Sequence, residues 1–308
     1  MTPPDPALLR LLRTLKALDY RFVAVTPETH RRVLARPGDP ERGDLRDVFG
    51  WNRPFQPESL PAELLAGGVE EAGDGLVRSR YRVASLEAQL FLHSSYPTDD
   101  EHAVFFGPDT YRFARFIEAE LEGRPAPRSI LDIGCGTGAG GLTAAALAPG
   151  ARVMLSDVNP AALSLAAVNA AAAGVAVELI EGSGVPAAAG APELIVANPP
   201  YIADDDAGRS YRDGGGAIGS GLSLEWAFEG ARRLAPGGRM LLYTGVAIVG
   251  GEDRVRAQLE AGLPALGCGL RYSEIDPDVF GEELDKPPYA GVERIVAVGA
   301  VIEKLRSQ

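Results

Sequence analysis

Beginning at Ser129, short apolar runs alternate with helix-forming stretches, and this alternation restricts the possible folds more than any other feature of the chain. Strands are predicted at 130–133, 153–156, 177–180, 194–197, 240–244, 270–275 and 292–301, with helices at 139–147, 160–173, 222–234 and 252–259. A parallel neighbour is reached only through a crossover. The order therefore implies an α/β fold: a doubly wound, seven-stranded, mostly parallel sheet with helices on both faces. The last two runs are long and adjacent, which predicts an antiparallel hairpin at one edge. Ligands of such a sheet bind outside the carboxyl ends of its strands, so the residues after each run carry the functional signal.

After the first run comes ILDIGCGTGAGG, Ile130 to Gly141. Gly134, Gly136 and Gly138 permit a tight turn and a close approach of ligand to backbone. Scored as a dinucleotide fingerprint, Gly134-x-Gly136-x-x-Ala139 is a weak match. Asp132 turns the reading elsewhere. A carboxylate there repels a pyrophosphate but pairs with the ammonium of an amino-acid moiety, which S-adenosylmethionine carries and NAD lacks. Asp157 ends the second run, where a carboxylate accepts hydrogen bonds from both ribose hydroxyls. Its plainer role, capping the helix that starts at Pro160, is better filled by Asn159. After the third run, Ser183 is placed to meet the exocyclic amine of adenine, and Val158 or Ile180 to pack on its ring. A plain turn reads equally well there.

The fourth run ends in Asn198-Pro199-Pro200-Tyr201. Two prolines stop strand pairing, fix φ and remove amide hydrogens, so they stiffen the backbone that carries the Asn198 side chain and the Pro199 carbonyl. A rigid pair of acceptors beside an aromatic ring suits a planar NH2 group; the plainer alternative is a Pro-rich turn. With a methyl donor at the upstream glycines, Asn198 borders donor and acceptor alike. Asn198, Pro199 and Tyr201 are the catalytic candidates.

Together these residues resemble class I S-adenosylmethionine-dependent methyltransferases over roughly residues 105–302, and the tetrapeptide is similar to the branch that methylates planar NH2 nitrogens. The closest likeness is to the protein-(glutamine-N5) methyltransferases of peptide-chain release factors. Those enzymes carry an N-terminal helical domain, a β-hairpin link and a Pro-Glu/Asp-Thr element, matched here by Pro108-Asp109-Thr110. Their Gly-rich segment is matched by Asp213-Gly214-Gly215 through Gly221-Leu222. The resemblance implies S-adenosylmethionine as cofactor, held by Asp132, Gly134, Gly136 and Asp157, with Asn198, Pro199 and Tyr201 on the target amide. Ser183 stands where the family usually has Asp. Phe105-Phe106-Gly107 precedes Pro108, without the Arg of the family's Pro-Arg-Pro element.

Residues 1–75 read as a small helical domain and a candidate for substrate recognition. Leu8, Leu9, Leu11, Leu12, Leu15 and Leu18 fall at helical spacing and form an apolar stripe, and Thr26-Pro27 opens a second helix that runs through Leu34. Shorter helices are predicted at 44–49 and 57–65. Residues 70–75 read as a polar link, 76–107 as a β-hairpin linker and 108–308 as the catalytic domain.

The net charge is −12, with ten basic and twelve acidic side chains up to residue 75 against twenty and thirty beyond it. An acidic catalytic half is a poor match for phosphates, which disfavours RNA or DNA amino-methylation and favours a protein or small-molecule acceptor. A non-catalytic scaffold would need neither the glycines nor the tetrapeptide. Cys135 and Cys268 are too few for a disulfide framework. His30, His93 and His102 have no metal-ligand spacing and read as structural or exposed. Neither a signal peptide nor a membrane span is evident, and the expected location is the cytoplasm.

Overall fold

The computed structural model describes residues 3–97, 100–203, 214 and 219–306. Asp5 caps the first helix, α1 (Pro6–Ala17), by accepting from the Ala7 and Leu8 amides. Of the expected leucine stripe, Leu8, Leu11, Leu12 and Leu15 are buried, Leu9 is half-buried, and Leu18 is exposed because the helix has already ended. Thr26 caps α2 (Pro27–Leu34), with proline at its first position. Two short helices, α3 (Leu45–Phe49) and α4 (Ala62–Leu65), complete the helical part.

Two hairpins follow. β1 (Val69–Gly73) pairs with β2 (Leu76–Ser79), and β3 (Tyr81–Leu86) pairs with β4 (Gln89–Ser94). Residues 70–75 are thus a strand and its turn rather than a link. Polar residues suit this strand because neither of its faces is fully buried, and Gly73, Asp74 and Gly75 take positive φ to reverse the chain.

Helix α5 (Pro108–Leu121) leads into the large sheet. Then come β5 (Ser129–Ile133), α6 (Ala139–Leu147), β6 (Arg152–Asp157), α7 (Pro160–Ala173), β7 (Val177–Glu181) and β8 (Leu194–Ala197). After them lie α8 (Gly221–Arg233), β9 (Arg239–Ile248), α9 (Arg254–Gly262), β10 (Cys268–Asp276) and β11 (Arg294–Lys304). The strand order is β10-β11-β9-β8-β5-β6-β7. Neighbours from β7 to β9 run parallel, while β11 is antiparallel to both β9 and β10. The doubly wound sheet with an antiparallel edge is therefore as expected. β8 is buried along its whole length, which accounts for its unbroken aliphatic sequence. The chain runs outward from β5 to β7 and returns to β8 on the other side of β5. The switch point falls between β5 and β8, beside Gly134 and Asn198.

The N-terminal leucines share one apolar cluster with Val83 and Leu92 of the second hairpin and with Ala162, Leu165 and Val168 of α7. Asn169 of α7 binds the hairpin as a neighbouring strand would. Its Oδ1 accepts from the Leu92 N–H at 2.9 Å, and its Nδ2 donates to the Leu92 carbonyl at 3.2 Å and the Thr137 carbonyl at 2.9 Å. No helix among the described residues is long and apolar enough to cross a membrane. Both cysteines are free and buried.

Candidate active site

A cavity of about 720 Å³ opens at the switch point, a size typical of small-molecule sites. Gly134 turns at φ +62°, and a Cβ there would lie 2.6 Å from the Trp226 ring, so only glycine fits. Gly136, at φ +52°, faces open space, and its N–H donates to Asp157 Oδ2 at 2.9 Å. Gly138 caps α6. Asp157 Oδ1 accepts from the Asn159 N–H at 2.9 Å, and the Asp157 carbonyl accepts from the Gly182 N–H at 3.0 Å. One residue thereby joins the turns after β5, β6 and β7. Burial raises the Asp157 carboxyl, while the amides of Asn159, Gly136 and Val158 pull it down. Asn159 caps α7 by accepting from Ala161. Val158 is 56% exposed and lines the cavity with Ser183. Ile180 packs against the apolar core instead, outside the cavity wall.

Asp132 is buried beneath the turn, and its Oδ2 accepts from the Gly141 N–H at 2.7 Å, fastening the first turn of α6 to β5. Burial pushes its carboxyl from the ordinary 3.8 up to about 7, opposed by the Gly141 amide and helped by the Asp157 charge. The folded state thus favours the protonated form. The stability this confers is complete below about pH 4 and is lost as pH rises to about 7. Asp132→Asn carries no charge and is expected to melt above the wild type in the ligand-free state. The margin should grow between about pH 4 and 7 and then level off, at up to about 4 kcal/mol. Scanning calorimetry across that range checks this; a margin independent of pH would contradict it.

Asn198 follows β8 directly and lines the cavity, and its Oδ1 is buried with no hydrogen-bond partner among the described residues. Pro199 and Tyr201 line the same wall. The Tyr201 hydroxyl donates to Asp109 Oδ2 at 2.7 Å, and the Tyr243 hydroxyl donates to Asp109 Oδ1 at 2.7 Å. Arg112 Nη1 donates to Asp109 Oδ1 at 3.1 Å and its Nη2 pairs with Asp276 at 2.8 Å. Burial, and after it the Asp109 charge, raises the Tyr201 phenol far above its usual range, so it stays a donor. The Tyr201 ring lies flat enough on β9 that a Cβ at Gly245 would come within 2.4 Å of it. Phe280 packs edge-on to it at 5.8 Å, at a φ of +56° that is uncommon for an aromatic residue.

Sequence reasoning reached Asp109 only through its family element, and it missed Tyr243, Phe280 and Trp226, whose positions depend on distant strands. His30 and His93, read as structural or exposed, are buried; both line the cavity, which Arg82 and Tyr96 line as well. Of the Gly-rich stretch, Asp213 and residues 215–218 lie outside the described residues. Gly214 receives the Leu222 N–H at 2.7 Å and donates to the Ile202 carbonyl at 3.0 Å, and Leu222 lines the cavity.

The family model for the Methyltransferase small domain matches residues 110–212. The release factor glutamine methyltransferase of Deinococcus radiodurans is 32% identical over 278 residues, covering 84% of this chain and 89% of its own. The release factor glutamine methyltransferase of Cereibacter sphaeroides is 33% identical over 169 residues, 50% of this chain and 57% of its own. A putative transferase from Pyrococcus horikoshii shares the fold at a TM-score of 0.51, with 10% identity over 74% of this chain and 73% of that one. Similarity running through nearly the whole length of one relative makes this chain a member of the release factor glutamine methyltransferase family, an enzyme that uses S-adenosylmethionine as its methyl donor.

Proposed function

We propose that the enzyme methylates the planar NH2 of a glutamine side-chain amide in a protein. The observation that carries this reading is the buried Asn198 Oδ1 at the rigid end of β8, which has no hydrogen-bond partner among the described residues. A buried acceptor without a donor is costly, and a primary amide supplies the missing N–H. The relatives' name points to the same substrate class.

The site's residues fit the cofactor. In this assignment Asp157 takes the ribose hydroxyls, Asp132 the ammonium, and Val158 and Ser183 the adenine, while the Gly134-Gly136-Gly138 turn lets the backbone approach. When bound, S-adenosylmethionine supplies a methyl group on a sulfonium. An amide nitrogen is a weak nucleophile because its lone pair is delocalised. Asn198 Oδ1 and the Pro199 carbonyl, accepting its two hydrogens, favour a pyramidal nitrogen and direct its lone pair. Tyr201, held by Asp109, walls the flat group. This is catalysis by positioning and electrostatics, with the proton leaving after transfer.

Residues 1–75 serve substrate recognition beside the 76–107 segment, and two free cysteines without a disulfide suit a reducing cytoplasm. Incubation with labelled S-adenosylmethionine and fractionated extract tests the reading. Label is expected in protein, resistant to nuclease, and mapped by mass spectrometry to glutamine. Label confined to RNA or to small molecules would overturn it.

A further inference from the structure

The wall of the cavity contributed by the N-terminal part contains a buried cation with no anionic partner among the described residues. Arg82 on β3 is 5% exposed, and its guanidinium has five N–H donors. Nε donates to the Gly50 carbonyl at 2.8 Å, and Nη2 lies 3.3 Å from His30 Nδ1. No carboxylate pairs with it among the described residues. Glu28, the acidic residue of α2 on this wall, is turned to Arg31 and Arg32.

Two imidazoles face the same space. His93 on β4 is fully buried and stacks on Phe106, and neither of its ring nitrogens makes a hydrogen bond of good geometry among the described residues. His30 Nε2 is in the same position. Burial and the Arg82 charge hold both imidazoles far below their usual range, to about 4 for His30, against a weaker upward pull from the Trp51 and Ser94 backbones. Each is therefore neutral at physiological pH and offers one N–H. With His30 Nδ1 accepting from Arg82, His30 Nε2 carries the proton.

The combination is rich in donors and positively charged, and a buried guanidinium held only by neutral groups is stabilised further by an anion within hydrogen-bond reach. We infer that Arg82, His30 and His93 form a carboxylate-binding pocket within the same cavity as Asn198. The carboxylate comes either from the methionine end of S-adenosylmethionine or from the methyl acceptor; only the second source rests on the amide reading above.

Titration calorimetry on the full chain separates the sources. The first pair of probes is S-adenosylmethionine and its decarboxylated analogue. The second is an N-acetylated, C-amidated Gln-Glu dipeptide and its Gln-Ala counterpart, added with S-adenosylhomocysteine. The wild type is expected to prefer the carboxylate-bearing member of one pair by about tenfold to a hundredfold, the value of one charge-assisted hydrogen-bonded contact. Arg82→Gln should erase that preference and Arg82→Lys should retain part of it. The pair that responds names the source. Absence of preference in both pairs, or a preference that survives in Arg82→Gln, overturns the pocket.

His93→Leu covers the case in which Arg82→Gln does not fold. Weaker binding of the same probe supports the pocket, and unchanged binding with a raised melting temperature shows that the histidine is merely unsatisfied and overturns it. The two readings fail separately: the amide reading fails if no label enters glutamine, whereas the pocket fails on the binding preference alone, which the S-adenosylmethionine pair reads without any acceptor.

Discussion

Asn198→Ala is expected to lower the rate of methyl transfer by about 10²–10³, the usual cost of removing one preorganised polar contact from a reacting group. Binding of S-adenosylmethionine should change little, because the carboxylates and the glycine turn lie on other strands. Asn198 Oδ1 is buried, has no partner among the described residues and is carried by a backbone that two prolines hold still. Alanine removes the acceptor without enlarging the apolar core beneath β8. Single-turnover transfer to a glutamine peptide, alongside calorimetry with S-adenosylmethionine, separates the two effects. Transfer at close to the wild-type rate would remove Asn198 from the mechanism.

Asp109→Ala is expected to give the largest loss of stability. Asp109 is 3% exposed and receives two tyrosine hydroxyls and one guanidinium N–H. Alanine leaves the Tyr201 and Tyr243 hydroxyls buried without an acceptor, each costing roughly 1–3 kcal/mol. Breaking the ion pair adds less, since Arg112 is partly exposed and keeps Asp276. A total of about 3–5 kcal/mol follows, together with slower transfer as the Tyr201 ring loses its anchor. Urea unfolding measures the first and peptide methylation the second. Asp109→Asn, which keeps one acceptor oxygen, should fall between alanine and the wild type. A wild-type urea midpoint in Asp109→Ala would show that the two tyrosines find other partners.

These two residues differ in how openly the sequence displays them. Asn198 sits in a tetrapeptide whose stiffness comes from adjacent prolines, and Gly134 in a turn set by its neighbours; both are local and readable. The sheet was readable for the same reason, since its period and its crossovers are written in consecutive residues. Asp109 meets Tyr201 across 92 residues and Tyr243 across 134. Contacts of that span are made by the sheet order, which no short window contains. β1 escaped notice because a strand without a buried face shows no alternation of apolar residues. The three side chains of the Arg82 pocket come from α2, β3 and β4, so only the folded chain brings them together.

The bond pattern of Asn169 bears on how members of this family could be recombined. A chimaera that took its N-terminal unit from a relative, joined at the start of α5, would look reasonable on a map of domains. Its new hairpin would nonetheless dock on a helix coded far downstream, whose amide must match the Leu92 backbone and also hold Thr137 in the glycine turn after β5. A mismatch at this one helix position would therefore reach the turn to which we assign the methyl donor. Shuffled libraries should yield active enzymes chiefly where the face of α7 travels with the hairpin it was matched to.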